Sequence, residues 1–121
     1  MRAQAAKSDD IVIARSDNDA NKKIIGALRL CPVENSWLLR SMCIDESYQR
    51  QGIGLYMLNK IREQLSSKQC YCFPYQHLET FYASAGFQLI DASTATPEIQ
   101  ALFSQYCEQG KSISLTQFSQ D

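Results

Sequence analysis

The strongest constraint on this chain is a change of period in its middle. Residues 36–44, Ser-Trp-Leu-Leu-Arg-Ser-Met-Cys-Ile, form an apolar run that reads as a strand. From Gly52 to Ser66 the apolar residues Ile53, Met57, Leu58, Ile61 and Leu65 recur at helical spacing. Between the two lies a short polar loop, closed by Gly52-Ile53-Gly54. A strand therefore runs through a loop into a helix that starts at a glycine pair. Glycine has no Cβ, so the backbone can turn tightly and a ligand can come close. The first helical N–H groups have no acceptor within the helix, and the helix dipole places partial positive charge there. Together these features suit a pyrophosphate. Taken alone, Gly-x-Gly is equally the mark of a plain turn. No Gly-Lys-Ser/Thr follows it, and the third glycine of a dinucleotide fingerprint is missing.

The flanking segments fill in a fold. Residues 10–15 and 24–31 read as strands, with a polar hairpin loop from Ser16 to Lys23 and a stop at Pro32. With 36–44 they can form an antiparallel meander, since the connections are short. Residues 69–73 read as a strand, and 74–85 as a helix stopped by Gly86. Residues 87–90 read as a strand. A helix over 97–108 opens with Thr96 as cap, Pro97 in the first turn and Glu98 at the positive end, and Gly110 closes it. Residues 112–118 read as the last strand. The order β-β-β-α-β-α-β-α-β predicts an α/β fold, a mixed, mostly antiparallel sheet flanked by helices. All 121 residues are expected to form one domain, because no linker or repeat breaks the pattern.

Composition narrows the function classes. Hydrophobic residues make up 45% and charged residues 21%, a globular balance. No apolar run approaches the roughly 20 residues of a membrane span, and residues 1–9 lack a signal-peptide core. A formal net charge of −1 argues against a nucleic-acid binder, which usually shows a basic excess. Five cysteines without a CxxC, and a single histidine, do not make a zinc site. They read as buried or half-buried thiols in a reducing cytoplasm, with Cys70 and Cys72 on one strand face and Cys43 buried in its strand.

Two segments carry a resemblance. Gln49-Arg-Gln-Gly52-Ile-Gly54 matches the Gln/Arg-x-x-Gly-x-Gly/Ala signature of GNAT N-acetyltransferases. Phe81-Tyr82-Ala-Ser-Ala-Gly86-Phe87 resembles the family's second signature, an aromatic-Tyr followed by Gly-Phe. The two stand in the family's order, and the likeness covers roughly residues 10–118. It implies acetyl-CoA as co-substrate, no metal, and direct attack by a primary amine in a ternary complex. The backbone of Gln49, Arg50, Gln51, Gly52, Ile53, Gly54 and Leu55 would bind the pyrophosphate, with the arginine and glutamine side chains at its rim. The backbone of Met42, Cys43 and Ile44 would pair with the pantetheine arm like an added strand. Strands 36–44 and 69–73 would splay apart around the thioester. Tyr82 would protonate the departing thiolate; a phenol of ordinary pKa about 10 is able to do so.

The chain departs from the family in three respects. Only about nine residues precede the first strand, so the usual opening strand and two helices that wall the acceptor site are expected to be missing. Tyr75 stands where many members have an asparagine, seven residues before the tyrosine. No carboxylate lies within 36–44, which leaves Glu79, Asp45 and Glu34 as candidate bases, each otherwise a surface acid. The acceptor is expected to be a small-molecule or peptide amine. The helix 97–108, with Ile99, Leu102, Phe103 and Tyr106 on one face, is expected either to cover the sheet or to help form a homodimer. A CoA-binding module without catalysis, or an interaction subunit, is the alternative reading.

Overall fold

The computed structural model describes residues 10–16, 23–61, 65 and 69–118. Most of the hairpin loop expected between Ser16 and Lys23, and most of the helix beyond Ile61, lie outside them. Strands β1 (Asp10–Arg15), β2 (Ile24–Val33) and β3 (Ser36–Ile44) form the antiparallel meander. Helix α1 (Ile53–Lys60) follows, then β4 (Gln69–Cys72), α2 (Glu79–Ser84), β5 (Phe87–Leu89), α3 (Pro97–Glu108) and β6 (Thr116–Phe118). The sheet order is β1-β2-β3-β4-β6-β5, and among the described strands only the β3–β4 pair is parallel. The expected fold class is thus the observed one.

Each sheet face buries one helix system. On one face α1 seats Met57, Leu58 and Ile61 against Leu28, Leu30 and Leu39, and Leu65, Cys70 and Cys72 belong to the same cluster. These are the residues that the helical spacing singled out. On the other face α3 lays Ile99, fully buried, against Leu38, Tyr71 and Leu115, with Leu102 and Phe103 alongside. Phe103 and Tyr106 both meet the edge of Phe73, at 5.4 and 5.9 Å between ring centres. The apolar face of α3 therefore covers its own sheet.

Three boundaries differ from expectation. Strand β2 does not stop at Pro32 but runs on to Val33, where Glu34 takes φ 55° in the turn into β3. The proline is tolerated because it lies beyond Leu30, the last residue that the described part of β1 pairs with. The helix expected from Pro74 starts later. Pro74 and Tyr75 stay extended, bonded to the segment before β6: the Ser114 N–H donates to the Pro74 carbonyl at 2.8 Å, and Tyr75 bridges Ile113. A 3-10 turn over Gln76–Leu78 then leads into α2. For the same reason the last strand is shorter than 112–118, since its first residues pair with Tyr75 rather than with β4.

Candidate active site

Strands β3 and β4 pair only from Ser36↔Gln69 to Leu39↔Cys72. Beyond that point they part, for two local reasons. Chain β4 is drawn toward β6 by the Pro74 and Tyr75 contacts just described. Strand β3 carries a bulge: Ala27 pairs with Cys43 and Arg29 with Arg40, so Ser41 and Met42 together oppose Leu28. Ser41 takes φ 58°, the left-handed region that accommodates such an extra residue. The gap between the strands is a cavity of about 370 Å³, lined by Ser41, Met42, Cys72, Leu78 and Tyr82 among others.

The bulge also resets which side chains face which helix. Leu39 packs toward α1, and after the extra residue Met42 and Ile44 do so too. Cys43 is thereby turned to the other face and is exposed, which corrects the expectation of a buried thiol. Cys107 is exposed as well, whereas Cys31, Cys70 and Cys72 are buried. Along Arg40–Ile44, the edge of β3 that faces the gap has no strand partner among the described residues. It is open to an extended chain that brings its own N–H and C=O groups.

At the end of β3 the chain enters the glycine loop. Asp45 caps the 3-10 turn Glu46–Tyr48; its Oδ1 accepts from the Ser47 N–H at 2.9 Å, and its Oδ2 lies 3.4 Å from Lys23 Nζ. The Ser47 hydrogen bond first, then Lys23, hold its carboxyl below the ordinary value. The Gln49 side chain donates back to the Ile44 carbonyl at 3.1 Å, and Gln51 to the Ser47 carbonyl at 3.4 Å. Both glutamines thus brace the loop, while Arg50 remains exposed at its rim.

Arg50 and Gly52 adopt left-handed backbone, φ 67° and 81°, and Gly52 caps α1. Tyr56 is the first residue of the helix to donate to a carbonyl within it, that of Gly52, at 2.9 Å. The N–H groups of Ile53, Gly54 and Leu55 are the unpaired donors of the first turn. A Cβ on Gly52 would meet nothing within 4 Å, so open space lies over the loop there. Gly54 is different. A Cβ there would stand 3.0 Å from Phe81 Cζ and 3.4 Å from Met42 Cε. Its glycine serves the packing of α1 on α2 and β3.

Tyr82, on α2, is buried and lines the cavity beside Cys72 and Met42. Its ring is gripped edge-on by Phe81 and Phe87, at 5.1 and 6.1 Å. Burial first, and the neighbouring Cys72 second, push its phenol above the ordinary value, so it stays protonated. Glu79 accepts a hydrogen bond from the Ser114 hydroxyl and is not among the cavity-lining residues. Glu34 sits in the β2–β3 turn, at the opposite end of β3 from the gap. Met42 and Tyr82 thus line the cavity between the parting strands, the glycine loop follows at the end of β3, and none of the three candidate bases is among the lining residues. Sequence reasoning overlooked Arg40, Tyr106 and Lys111, which line the cavity on the α3 side. The available signal was an arginine inside an otherwise apolar central strand.

A pyrophosphate and an extended, amide-bearing arm fit these residues: unpaired N–H donors under open space at Gly52, and a free strand edge leading from them to the cavity. Among the described residues no group of three or more potential ligands could hold a metal ion, and no helix is long and apolar enough to cross a membrane.

The fold is similar to several solved acetyltransferases. N-acetylglutamate synthase from Neisseria gonorrhoeae, complexed with coenzyme A and N-acetyl-glutamate, superposes with a TM-score of 0.70 at 13% identity, over 89% of this chain and 25% of that one. A GNAT-family acetyltransferase from Staphylococcus aureus Mu50 gives 0.60 at 21% identity, over 75% of this chain and 60% of that one. The PaiA N-acetyltransferase of Thermoplasma acidophilum, in complex with coenzyme A, gives 0.57 at 18%, over 91% and 61%. The chain thus spans a quarter of the synthase's length and about three-fifths of the other two, and at these identities the likeness is one of fold. No curated protein matches the chain. Residues 7–89, well over half of the sequence, match the family model described as Acetyltransferase (GNAT) domain, and the chain belongs to that acetyltransferase family.

Proposed function

We propose that this domain transfers the acetyl group of acetyl-CoA to a primary amine by direct attack. The observation that carries the reading is the cavity where β3 and β4 part, with the Tyr82 phenol in its wall and the glycine loop at the end of the same strand. Acetyl-CoA supplies an activated acyl group on sulfur. The N–H groups at the start of α1 hold its pyrophosphate, and the open edge of β3 from Met42 to Ile44 aligns its arm. The amine forms the new C–N bond as the C–S bond breaks. Tyr82 donates its proton to the departing sulfur and recovers one from water. The amine gives up its own proton to water, since no carboxylate among the described residues lines the cavity. The five unbridged cysteines suit a reducing cytoplasm as the place of work.

The same absence of a carboxylate favours a second reading, a CoA-binding domain without turnover. Thiol release from acetyl-CoA, followed across a panel of primary amines, separates the two. Release with at least one amine supports transfer. Tight CoA binding with no release from any amine would establish the binding domain.

A further inference from the structure

The cavity wall on the α3 side is chemically one-sided. Among the described residues its charged groups are Arg40, on β3, and Lys111, just past the end of α3, with no aspartate or glutamate. Both cations converge on one ring, Tyr106, with Arg40 Cζ 5.5 Å and Lys111 Nζ 4.8 Å from its centre. Arg40 Nη2 also donates to the Tyr106 hydroxyl, which leaves that hydroxyl's own proton free to donate onward. Among the described residues neither cation forms an ion pair. Directly opposite Arg40 on β2 stands a third cation, the buried Arg29, whose Nη2 reaches the hydroxyl of Ser41, itself a cavity residue, at 3.3 Å.

Resting on the acetyl-transfer reading above, we propose that the acceptor is an amine of amino-acid size that also carries a carboxylate. Arg40, the Tyr106 hydroxyl and Lys111 bind the carboxylate, and the amine is thereby turned toward Tyr82. A planar guanidinium matches a carboxylate in shape as well as charge. The same positive wall repels a bare ammonium and favours the neutral amine, the form that attacks, which is how the site operates without a carboxylate base. It selects against polyamines and lysine side chains, whose charge is only positive.

Thiol release is measured with L-amino acids, with their carboxamides, and with spermidine. In parallel, calorimetry compares N-acetyl-L-amino acids with their amides on CoA-saturated protein. The expected result is a preference for the carboxylate of at least tenfold in kcat/KM and in affinity. Lys111→Gln, at an exposed position, is expected to cut that preference about threefold, mainly through KM. Arg40→Gln is expected to cut it further, with Arg40→Lys in between. Carboxamides or spermidine used as well as the amino acids would overturn the proposal while leaving acetyl transfer intact. No release from any amine, together with a carboxylate preference in calorimetry, would remove transfer and retain the anion site. No preference in either measurement refutes the site.

Discussion

The ring of Phe81 occupies the space that a side chain on Gly54 would need: its Cζ lies 3.0 Å from the position of a Cβ there. The second glycine of the loop is thus tied to α2, the helix that carries Tyr82. Gly54→Ala is expected to overpack this contact and cost about 1–3 kcal/mol. Phe81→Leu should recover part of that loss in the double variant, a coupling that denaturant unfolding of the four proteins would reveal. Strictly additive losses would show that the two residues are independent.

Gly52 presents the opposite case. Nothing within 4 Å opposes a Cβ, but its φ of 81° does. Left-handed backbone costs an L-residue about 1–2 kcal/mol, so Gly52→Ala should remain folded with a loss of that size. Its methyl group would stand where the pyrophosphate approaches, and CoA affinity should fall about tenfold, or about 1.4 kcal/mol. Calorimetry with CoA checks this; unchanged affinity in the folded variant would move the cofactor elsewhere.

Tyr82→Phe should keep CoA binding and lower kcat by about 10²–10⁴-fold, the usual worth of a general acid. Because its pKa is raised, the basic limb of the wild-type kcat profile attributable to Tyr82 should lie above the ordinary phenol value of about 10. Glu79→Gln, at a carboxylate held by Ser114, should leave kcat within about threefold. A large kcat loss in that variant would restore Glu79 as the base.

Alkaline pH should weaken the fold through buried thiols. Burial pushes Cys70 from 9.0 up to about 12, opposed only in part by a backbone hydrogen bond at Leu39, and pushes Cys72 up as well. The unfolded chain ionises first, so this contribution is complete below pH 9 and is lost as pH rises from there. The slope is up to about 1.4 kcal/mol per pH unit for each thiol. Urea midpoints between pH 8 and 11 should fall, and should fall less steeply in Cys70→Ala.

Helix α3 is a structural cover by its packing. Ile99→Ala, at a fully buried position, should cost about 2–5 kcal/mol. Phe103→Glu places a charge against Phe73 and should lower the melting temperature without changing the sedimentation coefficient. A dimer that dissociates on this substitution would instead assign α3 to an interface.

Periodicity and local chemistry were enough to place the elements that are set by short-range rules. The apolar runs of β1–β3, the apolar stripe of α1, and the Thr96-Pro97 opening of α3 each depend on residues within a few positions of one another. Gly86 and Gly110 end their helices with φ of 102° and 87°, as glycines at such stops do. The loop signature and Tyr82 were legible for the same reason. What the sequence could not display were relations made by register. The bulge at Ser41 follows from the register between β2 and β3, and it turns Cys43 outward. Pro74 and Tyr75 look like a helix start until Ile113 and Ser114, almost forty residues on, claim their backbone. Arg40 and Lys111 meet the Tyr106 ring only because α3 folds across the sheet. Side-chain periodicity is a property of one segment, whereas a cavity is made by segments distant in the chain, and only their packing decides which side chains share it.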